Sequence, residues 1–222
     1  LAAGISHNLN TPITIIQANA ELLKIKNPDS PEIDKIMNQT KRMTGLITTI
    51  LEKGKRDQET GYINLDLNEL LKHELDFFNA NLYYKHKVEK QFDFCENIPV
   101  FKAIYSDFSQ SIMNIVQNAI DAMYNKPNRV LSIKTTKNES EIILTVSDTG
   151  SGISDEIKAK IFDPFFTTKP TNIEESKDIH QPRGTGLGLS LVYNLLMPYK
   201  VKIDFETEKD KGTTFILRIP IN

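Results

Sequence analysis

The chain has 222 residues, 39% of them hydrophobic, and 27 Lys and Arg against 29 Asp and Glu give a net charge of −2. So even a balance offers no electrostatic footprint for nucleic acid or an anionic membrane surface, and no stretch reaches the roughly 20 apolar residues that cross a bilayer. The single cysteine, Cys95, excludes an intramolecular disulfide. The length admits one sizeable core plus an extension; no secretory leader is expected, and the start at Leu1, just ahead of His7, reads as that of a piece of a longer protein.

Residues 1–26 predict a helix, with Ile5, Leu9, Ile13, Ile16, Ala20 and Leu23 on one apolar stripe. His7 projects almost directly opposite, beside Ala3, Thr11 and Thr14, away from its own packing seam. Pro12 removes one backbone hydrogen bond and frees the Asn8 carbonyl, so a kink beside His7 is expected. Asn27-Pro28-Asp29-Ser30-Pro31 is a dense turn signal. A second helix is expected from about 32 to 57, with Ile33, Ile36, Met37, Thr40, Met43, Ile47, Ile50 and Leu51 on its stripe. The short connection makes the pair an antiparallel hairpin. Two amphipathic helices cannot bury both stripes alone, so pairing with a second copy into a four-helix bundle is expected; packing on the rest of the chain is the alternative. Gly61 marks the linker.

From Tyr62 onward the pattern alternates. Strands are expected at 63–66, 86–94, 98–101, 129–136, 141–147, 200–206 and 213–219, and helices at 67–80, 104–124, 154–160 and 186–196. Hairpin-like spacing around Lys137-Asn138-Glu139 suggests a mixed sheet with helices on one face. Helix 104–124 carries Phe108, Ile112, Ile115, Val116, Ala119 and Met123 on one face and Asn114, Asn118 and Asp121 on the opposite one. A merely solvated face would carry Lys and Glu, because Asn and Asp are poor helix formers. Short oxygen-bearing side chains at i, i+4 and i+7 suit a hard cation such as Mg²⁺.

Two glycine-rich turns follow: Asp148-Thr149-Gly150-Ser151-Gly152, and Gly184-Thr185-Gly186-Leu187-Gly188-Leu189. The second runs directly into an apolar helical pattern and so places backbone N–H groups at a helix N-terminus, a ready anion site. The anion expected there is a nucleotide phosphate. Between the turns, Asp163 to Arg183 is polar and without periodicity, and long irregular segments inside compact domains usually carry function.

Asn114-x-x-x-Asn118-Ala119, Asp148-x-Gly150-x-Gly152, Phe162-x-Pro164-Phe165-Phe166 and Gly184-x-Gly186-x-Gly188 resemble, in order, the signature boxes of sensor histidine kinases. These belong to the wider GHKL ATPase superfamily with gyrase, the mismatch-repair ATPases and heat-shock chaperones. The resemblance covers about residues 62–222. Ile5-Ser6-His7-Asn8-Leu9-Asn10-Thr11-Pro12 is similar to the family's phosphoacceptor box. The fold implied is a helical hairpin at 1–58, dimeric as a four-helix bundle, followed at 62–222 by an α/β sandwich with a mixed, mainly antiparallel sheet. A mobile ATP lid is implied at about 163–183.

The same resemblance implies ATP and Mg²⁺ as cofactors and assigns the roles. Asn118 and Asn114 would hold Mg²⁺, with Asp121 beside them in the nucleotide site. Asp148 would accept from the exocyclic amino group of adenine, Gly150 and Gly152 would pass close to the base, and Thr213 would support Asp148 through a water. Gly184, Thr185, Gly186, Leu187 and Gly188 would face the phosphates, and Phe165 is counted among the nucleotide-binding residues; Lys169 and Arg183 flank the lid and could reach the phosphates or equally stay solvated charges. His7 would accept the γ-phosphoryl group and pass it to an aspartate of a response regulator. Thr11, one turn from His7, matches the position that orients a hydrolytic water when such kinases dephosphorylate their regulator. A cytoplasmic location is implied, with a parent chain that could be membrane-anchored.

The chain departs from the commoner pattern at Asn8, where Glu or Asp usually follows the histidine, and at Asn10, where Arg is frequent. Asn8 can orient the imidazole but supplies no negative charge, so slow autophosphorylation is an open outcome. Two alternatives stand beside the kinase reading: a nucleotide-binding scaffold, and a hydrolytic GHKL ATPase. The ATPase is disfavoured by Asn114, where such enzymes generally place Glu, and by His7. His73, His86 and His180 match no motif and have no metal-ligand spacing.

Overall fold

The computed structural model describes residues 2–28, 30–37, 39–40, 43–44, 61–78, 82–170 and 182–221. Helix α1 (Ala2–Lys26) runs through Pro12 as one element, and α2 is helical over residues 31–37 and again at 39–40 and 43–44. Ser30 opens α2: its hydroxyl accepts from the Ile33 N–H at 3.4 Å, and Pro31 takes the first helical position, where a missing donor costs nothing. Lys24 bridges Asp34 at 2.8 Å across the turn. Ile13, Ala20, Ile33 and Thr40 are buried, whereas Ile15, Ile16, Leu22, Leu23, Ile25, Ile36 and Met43 remain 44–76% exposed. The hairpin thus covers only part of its apolar stripes. Residues 45–60, with Ile47, Ile50 and Leu51 of the expected second stripe, lie outside the described residues. No helix among the described residues is long and apolar enough to cross a membrane.

Beyond Gly61 come β1 (Ile63–Leu65), α3 (Leu67–Phe78), α4 (Leu82–Lys87), β2 (Glu89–Phe94), β3 (Phe101–Ala103), α5 (Tyr105–Ala122), β4 (Val130–Lys137), β5 (Glu141–Asp148), α6 (Gly188–Leu196), β6 (Lys202–Glu208) and β7 (Gly212–Pro220). Five strands form one sheet in the order β2-β4-β5-β7-β6; β1 and β3 form a separate antiparallel pair. Among the described strands only β2 and β4 pair in parallel, so the main sheet is mixed and mainly antiparallel, as expected.

Strand alternation decides what the sheet presents to its helices. On β5, Ile142, Leu144, Val146 and Asp148 point the same way, opposite Ile219, Leu217, Phe215 and Thr213 of β7. All eight are buried. Helix α5 lays Phe108, Ile112, Ile115, Val116 and Ala119 into the same core, and each fully buried aliphatic or Phe side chain contributes about 1.5–3 kcal/mol. The row therefore ends, at Asp148, in one carboxylate on the core side.

Three local expectations shift. Residues 82–87 are helical, and β2 starts only at Glu89 rather than at 86: Tyr84 is 1% exposed and packs on Phe78 at 5.5 Å between ring centroids, which holds this segment as a helix against the core. Pairing of β3 begins at Phe101, after Pro99, which has no N–H to donate. Residues 154–160 are a turn ending in a 3₁₀ segment, Lys158–Lys160, rather than an α-helix. There the amides of Ile157, Lys160 and Asp163 each bond the carbonyl three residues back, and buried Ile161 closes the run.

Candidate active site

Four segments meet around one cleft of about 660 Å³: the C-terminal half of α5, the turn after β5, Thr167–Pro170, and Pro182–Gly188 leading into α6. Asp148 stands at its floor, 9% exposed, with Leu131 and Thr213 as sheet neighbours. The Gly150 N–H donates to its Oδ1 at 2.7 Å. Burial pushes this carboxyl from 3.8 up to about 6, against the pull of the Gly150 and Thr213 backbone amides. Such a group is an acceptor that gains from any donor entering the cleft. The turn beside it admits no side chain: a Cβ at Gly150 would stand 2.6 Å from both Asp148 Oδ1 and Ala122 Cβ.

The polar edge of α5 faces the same space. Asn114, Asn118 and Asp121 line the cleft, and Asp121 keeps only 9% of its side chain exposed. The Lys169 ammonium donates to Asn118 Oδ1 at 2.8 Å and to Asp121 Oδ2 at 2.6 Å, while Gln117 Nε2 donates to the other carboxylate oxygen at 2.7 Å. Asn114 Nδ2 is buried without a hydrogen-bond partner among the described residues, a condition that costs about 1–3 kcal/mol. Such a donor calls for an acceptor, which an oxygen of a bound ligand would supply. Oxygens that already converge on an ammonium fit a hard divalent cation that retains several waters. The described residues hold no group of three His, Cys, Asp or Glu that could bind a metal otherwise.

Helix α6 enters opposite. Its N-cap, Leu187, carries no side-chain cap bond, so the first-turn N–H groups lack partners within the helix. Gly188 faces α5: a Cβ there would lie 3.5 Å from Asn114 Oδ1 and 3.7 Å from Asn118 Nδ2. One cleft therefore holds a helix N-terminus suited to anions next to oxygens suited to a cation. Gly186 has φ 72° and its carbonyl accepts from the Phe165 N–H at 2.8 Å; a Cβ there would run into the Phe165 backbone. Gly186→Ala is therefore expected to cost about 1–3 kcal/mol and to lower the melting midpoint. An unchanged thermal transition would contradict this account of the turn.

Of the residues singled out above, Gly152, Lys169, Arg183, Gly184, Thr185, Leu187 and Thr213 also line the cleft. Gly150 lies beneath it, and Phe166 rather than Phe165 supplies the aromatic wall, with Ile153, Ile157, Ile161, Leu189 and Phe215. Sequence reasoning missed Gln117 and Thr207. The Thr207 hydroxyl accepts from the Ile153 N–H at 2.9 Å and donates to the Gly212 carbonyl at 3.0 Å, with the Thr213 hydroxyl 3.0 Å away, so it ties the Gly152 turn to β7. A threonine in an alternating strand carries no sequence signal for that task. His7, Asn8 and Thr11 fall within α1, but their side chains, like residues 171–181 of the expected lid, lie outside the described residues.

Residues 104–222 match the family model "Histidine kinase-, DNA gyrase B-, and HSP90-like ATPase", and residues 1–59 match "His Kinase A (phospho-acceptor) domain". Sporulation kinase E of Bacillus subtilis (strain 168) is 28% identical over 223 residues, which are 100% of this chain and 28% of that protein. Sensor protein SrrB of Staphylococcus aureus (strain N315) is 28% identical over 228 residues, 98% of this chain and 37% of that protein. The histidine kinase ThkA, solved in complex with the response regulator protein TrrA, superposes with a TM-score of 0.60 at 26% identity, covering 99% of this chain and 60% of ThkA. The chain thus spans well under half the length of the two curated relatives. It belongs to the histidine kinase-, DNA gyrase B- and HSP90-like ATPase family and, with a phosphoacceptor domain ahead of that ATPase domain, is a sensor histidine kinase catalytic core.

Proposed function

We propose that this chain transfers the γ-phosphoryl group of ATP to His7 and passes it to an aspartate of a separate response regulator. The observation that carries the reading is the cleft: a buried acceptor at Asp148, cation-holding oxygens at Asn118 and Asp121, and the uncapped start of α6 line one space, as base, metal and phosphate would need. Asn114 and Asn118 would hold Mg²⁺, which supplies charge neutralisation at the phosphates; Lys169 and Arg183 would serve the same phosphates from the lid at about 163–183. The chain divides at 1–58, the dimerisation and phosphoacceptor hairpin, and 62–222, the ATP-binding domain. Half-covered stripes on α1 and α2 support a homodimer, and the ThkA complex with TrrA supports a receiver domain as partner. The working location is cytoplasmic.

In the transfer, a neutral ring nitrogen of His7, Nε2, forms a bond to the γ-phosphorus while the bridging oxygen leaves with ADP. The imidazole then sheds its Nδ1 proton. Asn8 offers that proton a carbonyl to point at but no base. Asn8→Glu is accordingly expected to raise the single-turnover rate. General acid–base help spans about 10²–10⁴-fold, so even a partial gain is measurable, and an equal or slower rate would remove Asn8 as the limiting feature. Thr11 would orient water in the reverse, phosphatase direction. The test of the whole reading is incubation with γ-labelled ATP and Mg²⁺: acid-labile label on the chain is expected, and nucleotide binding without label would favour the scaffold alternative.

A further inference from the structure

Lys169 occupies the oxygens of α5 rather than standing in solvent. Its ammonium reaches Asn118 Oδ1 at 2.8 Å and Asp121 Oδ2 at 2.6 Å, with 26% of the side chain exposed. Gln117 Nε2 also donates to the other Asp121 oxygen at 2.7 Å. The backbone that carries the lysine is also fixed: the Lys169 N–H donates to Thr167 Oγ1 at 3.1 Å, and a Cβ at Gly184 would lie 3.2 Å from Lys169 Cβ. An ammonium has three donors and no acceptor, and two are committed here to the oxygens that the proposed reading gives to a divalent cation or sets beside it.

Two cations cannot share oxygens about 3 Å away without strong mutual repulsion in a partly buried site. We propose that Lys169 and the divalent cation compete for Asn118 and Asp121. The lysine is a tethered cation that overlaps the metal position at Asn118, and metal–nucleotide loading displaces its ammonium towards the phosphates. The exchange keeps Asp121 paired throughout, which matters because a buried carboxylate left alone is strongly destabilising. It also accounts for an acidic residue beside a triphosphate site: without a cation on it, Asp121 would repel the phosphates. The site is thereby closed to the metal alone, so metal and nucleotide enter together. This inference rests on the nucleotide reading above.

The test is the Mg²⁺ dependence of binding of a fluorescent ADP analogue, which needs no phosphoryl transfer. Lys169→Met keeps the stem and removes the charge. Competition predicts that the Mg²⁺ concentration for half-maximal binding falls about tenfold, the scale of charge-assisted hydrogen bonds, while Lys169→Arg keeps a competitor and stays near the parent value. A lysine that served only the phosphates would move the Met variant the other way. An unchanged or higher Mg²⁺ midpoint with binding intact would therefore overturn the competition and leave the nucleotide site standing. Absence of binding in the parent and both variants at every Mg²⁺ concentration would overturn the site reading together with this inference.

Discussion

Asp148→Asn is expected to make the chain more stable at neutral pH and to weaken adenine-nucleotide binding. Burial raises this carboxyl from 3.8 to about 6, so the unfolded chain releases the proton more readily than the folded one. The sign follows: stability falls as pH rises from about 4 through about 6, and above that the ionised carboxylate withholds about 3 kcal/mol from the folded state. An amide of the same shape carries no charge to desolvate, and its oxygen can still accept from the Gly150 N–H that now bonds Oδ1. The melting midpoint should rise by several degrees at pH 7.5, with the difference disappearing below about pH 4.

Binding should move the opposite way. A carboxylate accepting from the adenine amine is worth about 1.5–3 kcal/mol, whereas an amide can present its own N–H₂ group there, so affinity should drop about tenfold to a hundredfold. In the parent chain, affinity should also weaken as pH falls through about 6, where Asp148 takes up a proton and becomes a donor. The variant should show no such dependence. Nucleotide titrations from pH 5 to 8, paired with thermal melts, read both effects. Parallel losses of stability and affinity would mean that Asp148 is a structural group with no role in base recognition.

His7→Gln carries the second large effect: complete loss of acid-labile label, with nucleotide affinity within about twofold of the parent. Phosphohistidine is acid-labile because protonating the ring makes imidazole a good leaving group, and a Gln amide cannot form that bond. Binding should survive because every cleft-lining residue among those described falls at Asn114 or later, while His7 lies in α1. Residual acid-labile label in the variant would place the acceptor elsewhere. Loss of nucleotide binding along with the label would mean that α1 contributes to the cleft.

Much of this was legible in residue order because the signals are local. Period-2 runs located β4, β5 and β7, and the 3.6 period of Phe108, Ile112, Ile115 and Ala119 located α5 together with its polar edge. Glycine spacing located both turns, since only residues without Cβ let the backbone pass Asp148 Oδ1 and Phe165 so closely. The misread residues, 86–87 at the expected strand start and 154–160, are few, and their conformation is set by the packing of Tyr84 and Ile161 into a distant core.

What the sequence determined by itself was the family, the order of the elements and the identity of the polar groups, because boxes and periodicities are written in neighbours along the chain. Tertiary structure alone decided their electrostatics. Asp148 becomes an acid near pH 6 only because the sheet and α5 exclude water from it. Lys169 becomes the partner of Asn118 and Asp121 only because folding brings a residue about 50 positions away onto α5. Desolvation and ion pairing depend on through-space distance, which neighbouring letters do not encode.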